Sequence, residues 1–274
     1  MLATPKTIWQ VPAYLPYLQP PLTKEAVVAA EKAIGYRLPV EYLDLLRQQN
    51  GGYIRFSLPD YVHDSIAGIG PYFPSLIGFD WDERQEHVSY PLQGLVPFDG
   101  DGHWHLCLDY RRNADSPSIT FADIECDCEK SVAASFSEYL AILKPEIPGD
   151  YVVEAVANID GLKALLSQEL GFAFNPPDTW AHGYPVENAR IGSGENAQRI
   201  WISPNTVPRG FVRKEDSRYS TLKDVLPGFG ERLPGLPAGS YLLCVTNGLE
   251  AHLLDACRQS GLIVRPLREY LDGQ

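Results

Sequence analysis

Between Thr23 and Gly52 the chain reads TKEAVVAAEKAIGYRLPVEYLDLLRQQNGG, and its punctuation leaves few foldings open. Thr23 suits an N-cap, with Leu22 and Val27 spaced as a hydrophobic staple around it. Val27, Ala30 and Ile34 repeat at helical spacing, and Gly35 supplies the left-handed residue that closes a helix. Leu38-Pro39 restarts the chain, because the residue before proline is driven extended and proline suits a first helical position. Tyr42, Leu43 and Leu46 carry the apolar face through a second helix. Asn50-Gly51-Gly52 ends it and permits a sharp turn. The stretch predicts a helical hairpin entering a sheet.

Beyond Gly52 the period changes to two. Strands are expected at Tyr53–Leu58, Ser65–Ile69, Leu76–Phe79, Gly94–Phe98, His103–Tyr110 and Ser118–Ala122, separated by Gly, Pro and Asp clusters. Hairpin-like spacing favours a mostly antiparallel sheet. A helix is expected over 132–143, with Val132, Phe136, Leu140 and Leu143 on one face. Pro145 and Pro148-Gly149 then mark a boundary, giving domains 1–147 and 148–274. The second, smaller part reads as α/β: a helix over 160–170, strands at Arg199–Ile202 and 207–213, a short helix at 221–226, the strand SYLLCVT, a helix near 249–260 and the strand LIVRPL. The closing helix and the strand LIVRPL suggest half of a small strand–helix–strand layer. The fold class expected for the whole chain is α+β.

Charge narrows the partners. The 274 residues hold 35 acidic and 23 basic side chains, a formal charge of −12, which argues against nucleic acid as a direct ligand. About 20 acidic and 11 basic side chains fall in residues 1–147, so about −9 of that charge belongs to the first part. An acid excess keeps a protein soluble, and it also steers encounters with basic proteins. No apolar run reaches the ~20 residues of a membrane span. The opening MLATPKTIWQVPAYLPYLQPP lacks the basic flank and apolar core of a secretion signal, and reads as an arm that packs along the first domain. Five cysteines form no dense framework, and reduced thiols in a cytoplasm are expected.

The opening hairpin resembles the SUKH superfamily: Glu31-Lys32-Ala33-Ile34-Gly35, Leu38-Pro39, Tyr42-Leu43 and Asn50-Gly51-Gly52 match its first signature. Val96-Pro97-Phe98-Asp99, Gly102, His103–Leu108 and Asp109-Tyr110 are similar to its second, and Phe136, Tyr139 and Leu140 sit where the family has its closing helix. The resemblance covers about residues 22–144. It implies helices packed against a mixed, largely antiparallel sheet, and a binding role without catalysis. The superfamily takes in a fungal cell-wall assembly regulator and bacterial immunity proteins that neutralise polymorphic toxins, often nucleases, by direct contact. The implied function is therefore an immunity protein for a basic toxin domain, or a regulatory or scaffold protein. Nothing in the resemblance extends to residues 150–274, where an enzyme site is a third possibility.

The strand His103–Tyr110 alternates, with Trp104, Leu106, Leu108 and Tyr110 facing a core and His103, His105, Cys107 and Asp109 forming a polar face. Zinc would suit such residues, but Cys126 and Cys128 stand closer than the usual Cys-x₂₋₄-Cys knuckle. Asp99-Gly100-Asp101-Gly102 reads as a hairpin turn, since His103 and Tyr110 occupy positions where a calcium loop needs oxygen ligands. No metal or cofactor is expected. Two acidic runs, Asp80/Asp82/Glu83/Glu86 and Asp123/Glu125/Asp127/Glu129, are the candidate contact surface. Trp81 lies within the first, with Tyr61, Tyr72 and Phe73 in nearby loops. Aromatic anchors among steering carboxylates suit a basic protein partner. The predicted contact residues are Tyr72, Phe73, Asp80, Trp81, Asp82, Glu83, Glu86, Asp99 and Asp101. No catalytic residue is assigned: the carboxylates have no nucleophile beside them. Ser193 in Gly192-Ser193-Gly194 lacks nucleophile-elbow spacing, and Gly228, Gly230 and Gly235 lack the Lys-Ser/Thr of a phosphate loop. Arg209, Arg213, Lys214 and Arg218 make the notable basic patch of the second part.

Overall fold

A computed structural model describes residues 7–154, 156, 158–193, 197–246 and 248–271. Residues 1–6 of the opening arm, and Gly194 of the Gly-Ser-Gly segment, lie outside the described residues. The chain divides into two compact units, Met1–Glu146 and Ile147–Gln274. The architecture is mixed α+β, with helices set against antiparallel strands.

In the first unit, α1 (Lys24–Ile34) begins where Thr23 Oγ1 accepts from Ala26 N at 3.1 Å and ends on Gly35 in the left-handed conformation. Glu31 Oε1 accepts from Leu38 N at 3.0 Å, tying the end of α1 to the start of α2 (Val40–Gln48). The Asn-Gly-Gly closure is a clasp. Asn50 Oδ1 accepts from Ile69 N at 2.8 Å, while its Nδ2 donates to Pro20 O at 2.6 Å and Ile69 O at 3.0 Å. Gly51 has φ +89°, and a Cβ there would lie 2.7 Å from Gly68 N. Only glycine lets the two backbones meet.

The expected strand over 53–58 is broken into β1 (Gly52–Tyr53) and β2 (Phe56–Ser57), and β3 (Ser65–Ile66) pairs with β1. No strand forms over Leu76–Phe79; Pro74 precedes it and Gly78, at φ +84°, interrupts it. The main sheet is an antiparallel meander of β4 (Leu95–Gly100), β5 (Trp104–Asp109), β6 (Ser118–Asp123) and β7 (Cys128–Ala133). The helix expected from Val132 starts only at Phe136, as α3 (Phe136–Ile142). Ser135 Oγ accepts from Glu138 N and Glu138 Oε2 accepts from Ala134 N, a reciprocal cap that hands the preceding residues to the sheet.

Ala30, Tyr42, Leu46, Phe98, Leu106, Leu108, Ile119, Phe136 and Tyr139 join the three helices to one face of this sheet. The opposite face is also buried, by Val88, Tyr90 and Leu92 over Cys107, Ala122 and Ile124, with Trp81 against them. The polar face expected for β5 is therefore a second packed layer: His105, Cys107 and Asp109 are all buried. Asp109 survives there because Arg111 and Thr120 hydrogen-bond its carboxylate.

The second unit builds a six-stranded antiparallel sheet around β8 (Tyr151–Val153), which lies between β14 (Tyr241–Val245) and β15 (Val264–Pro266). The other members are β9 (Ala173–Phe174), β10 (Glu187–Ile191) and β11 (Gln198–Pro204). A separate antiparallel pair joins β12 (Thr206–Pro208) to β13 (Phe229–Glu231). Helix α4 (Ile159–Leu170) comes after β8, and α5 (Glu250–Gln259) links β14 to β15. Because β8 is antiparallel to both of its neighbours, β14 and β15 run parallel to each other, joined through α5 with β8 inserted between them. This is a split strand–helix–strand unit. The expected strand–helix–strand layer is present, inside an antiparallel sheet. Val153, Leu166, Ile200, Ile202, Leu243 and Leu253 fill the core between sheet and helices. Strands β8, β9, β10 and β13 are absent from the sequence-based expectation: β8, β9 and β13 are only two or three residues long, and ENARI shows weak alternation.

Candidate partner-binding cleft

A cleft of about 590 Å³ opens in the first unit between the 62–79 loops and the β4–β5 turn. Its walls are aromatic. Phe73 is 77% exposed at the rim, and its ring meets Tyr17 edge-on at 6.2 Å. Gln19 shapes the rim loop, its Oε1 accepting from Tyr72 N at 3.0 Å and its Nε2 donating to Tyr72 O and Pro74 O. Trp104 lies on the other side, stacked on Phe121 at 5.5 Å. Phe79 packs against Trp81 at 4.6 Å and His105 at 4.9 Å, with the Arg84 guanidinium 5.0 Å from its ring centre.

His105 lines the cleft with 3% of its surface exposed, and among the described residues its Nε2 has no hydrogen-bond partner. Burial first, and Arg84 next, push its pKa down to about 4, so the imidazole is neutral near pH 7. Asp101 and Asp64 supply acid to the lining. Asp101 Oδ1 accepts from His103 N at 2.9 Å and Trp104 N at 3.2 Å. Desolvation acts to raise its carboxyl, but these bonds and His103 outweigh that and hold it below the usual range. Asp64 is pushed up, by desolvation first and Asp99 second.

The predicted contact residues separate into three groups. Phe73, Asp99 and Asp101 line the cleft, and Tyr72 stands exposed on its rim loop. Asp80, Trp81 and Asp82 line a neighbouring depression of about 230 Å³, which shares Phe79 with the cleft. Glu83 and Glu86 sit beside it on the same loop. Two residues differ in character from the expectation. Trp81 is half-buried and donates through Nε1 to Leu95 O at 2.8 Å, so it pins the acidic loop to the sheet. Asp99 is withdrawn from the surface, its side chain 7% exposed. A bulge between Pro97 and Asp99 sets Asp99 opposite Leu106 on the core side. There Ser65 Oγ donates to Asp99 at 2.5 Å and His63 Nδ1 lies 2.6 Å away, while His63 Nε2 meets the Tyr139 hydroxyl.

Tyr61 packs on Phe121 at 4.8 Å rather than standing free. The second acidic run is occupied by its own turn and by neighbouring segments. Asp123 accepts from Cys126 N, Asp127 accepts from Ser89 N, Glu129 pairs with Arg111 and Glu125 with His103. Among the described residues, no three His, Cys, Asp or Glu side chains converge to hold a metal ion. Phe79, Trp104, Asp64 and His105 were not among the predicted contacts. Phe79 adjoins the first acidic run, and that adjacency was the available signal; the others reach the cleft only through tertiary folding.

The first unit thus sets its helices against a twice-covered antiparallel sheet, with an aromatic cleft that Asp64 and Asp101 also line. Residues 21–142, which make up most of the first unit, match the family model described as the SMI1 / KNR4 family (SUKH-1). That match supports an immunity-type or regulatory role in general. Neither the curated proteins nor the solved structures compared with the chain gave a match.

Proposed function

We propose that the protein is an immunity-type binder that holds a basic toxin domain at the cleft of its first unit and blocks it by direct contact, without turnover. The observation that carries this reading is the cleft itself, where an exposed Phe73 and the rings of Phe79 and Trp104 stand beside Asp64 and Asp101. Aromatic anchors supply the area that tight association needs, and the carboxylates select and steer a cationic partner. Asp80, Asp82, Glu83 and Glu86 extend the same acidic surface.

Co-expression with basic toxin domains, beginning with any encoded by a neighbouring gene, then purification of the complex, tests the proposal. Growth should be restored and a stoichiometric complex recovered. Phe73→Ala combined with Asp101→Lys should weaken binding at least about tenfold, the equivalent of ~1.4 kcal/mol. Failure to protect, with no complex, sinks the direct-blocking mechanism. A non-toxic partner captured through the same cleft, and lost with the same substitutions, would move the assignment to the regulatory or scaffold role that the family match equally supports.

A further inference from the structure

The second unit holds a feature independent of the cleft. In the β10–β11 ladder, Ala189, Ile200 and Ile202 face the helices and the core. Alternation turns Asn188, Arg190, Arg199 and Trp201 to the opposite face. There Arg190 and Arg199 are cross-strand partners, and Asn188 is opposite Trp201. These four, with Asn175 and Ala189, line a depression of about 330 Å³. Both arginines are exposed, and among the described residues neither is paired with a carboxylate. By contrast Arg47, Arg111, Arg258 and Arg265 each lie against one. Like charges directly opposite on a ladder destabilise it. The arrangement is therefore a cost to the isolated sheet that a bound anion would remove.

Among the described residues, the lining offers donors and no carboxylate. Asn175 Nδ2 donates to Asn188 Oδ1 at 2.6 Å, and among the described residues the Asn188 Nδ2 donates to no acceptor. The indole of Trp201 is half-exposed within the same depression. We propose that this face of the second unit is a binding site for a phosphate monoester carrying a planar ring, with the phosphate between Arg190 and Arg199 and the ring on Trp201. One carboxylate would neutralise a single guanidinium. A phosphate monoester carries about −1.5 to −2 near pH 7 and has three acceptor oxygens, enough for both arginines. Guanidinium groups grip phosphate through paired N–H donors, and an indole face accepts any planar ring.

Calorimetric titration of the full chain with inorganic phosphate and with adenosine 5′-monophosphate, at ionic strength fixed with chloride, tests this assignment. Saturable binding of both is expected, tighter for the monophosphate, with a rise in Tm. Arg190→Gln with Arg199→Gln should weaken both at least tenfold. In phosphate-free buffer that variant should melt no lower than the parent, because the opposed charges are gone, so lost binding would not reflect unfolding. Trp201→Leu should reduce the monophosphate's advantage and leave inorganic phosphate unchanged. The site is refuted if phosphate does no more than chloride, or if the double variant binds as the parent does. Equal affinity for the two probes would overturn the role given to Trp201. Because these residues lie in the second unit, toxin neutralisation through the first could fail or succeed without changing the result.

Discussion

Asp99 and Asp101 show how two carboxylates, two residues apart, acquire different work. Asp101 caps a turn in open solvent, whereas Asp99 holds His63 and Ser65 inside the domain. Asp99→Ala should cost about 3 kcal/mol in a urea denaturation, because it strands the buried imidazole and hydroxyl. Asp101→Asn should cost under about 1 kcal/mol by the same measurement. His105 gives a pH signature. Its folded pKa of about 4 lies below the ordinary 6.5, so between those values the unfolded chain binds the extra proton. Stability from this group is complete above pH 6.5 and lost as pH falls toward 4, by up to about 3 kcal/mol. His105→Phe should flatten that part of the stability–pH curve; an unchanged slope would show that another group is responsible.

At the scale of elements, the helix hairpin owes its position to its ends. Asn50 ties the close of α2 to Pro20 and Ile69, and Gly51 lets the backbone at Gly68 approach. Asn50→Ala should destabilise the first unit by about 3 kcal/mol, and Gly51→Ala by at least about 2 kcal/mol, through the lost bonds and the forced shift. Gly35→Ala should cost only about 1 kcal/mol, since a Cβ there meets nothing and only its positive φ is strained. Thermal melts should show Gly35→Ala as the mildest of the three variants. These residues were legible because turns and caps are local: Thr23, Gly35, Leu38-Pro39 and Asn50-Gly51-Gly52 declare themselves within a few residues. The strand β7 was not legible, because Cys128–Ala133 alternates poorly and borrows its place from β6.

At the scale of the molecule, each unit has its own apolar core, built from Met1–Glu146 residues in one case and from 147–274 residues in the other. Residues 1–146 expressed alone should unfold cooperatively, with near-ultraviolet dichroism retained; a molten spectrum would show that the core is incomplete. The uneven charge also belongs to this scale. If acid on the first unit steers a basic partner, the association rate should fall steeply as salt rises from about 50 to about 500 mM, with a smaller effect on dissociation.

By itself, the sequence determined the helical hairpin, the antiparallel character of the strands beyond Gly52, the resemblance to the SUKH superfamily and the concentration of acid in the first unit. Each rests on local periodicity, on punctuation or on a simple count, which survive without knowledge of contacts. The tertiary structure decided which aromatic and acidic residues share a space. A one-residue bulge carried Asp99 inward, a covering loop buried His105 and turned Trp81 into a pin, and strand register set Arg190 against Arg199. A shift of one residue in a strand reverses the face of every side chain, so a sequence pattern names candidates while register assigns their neighbours.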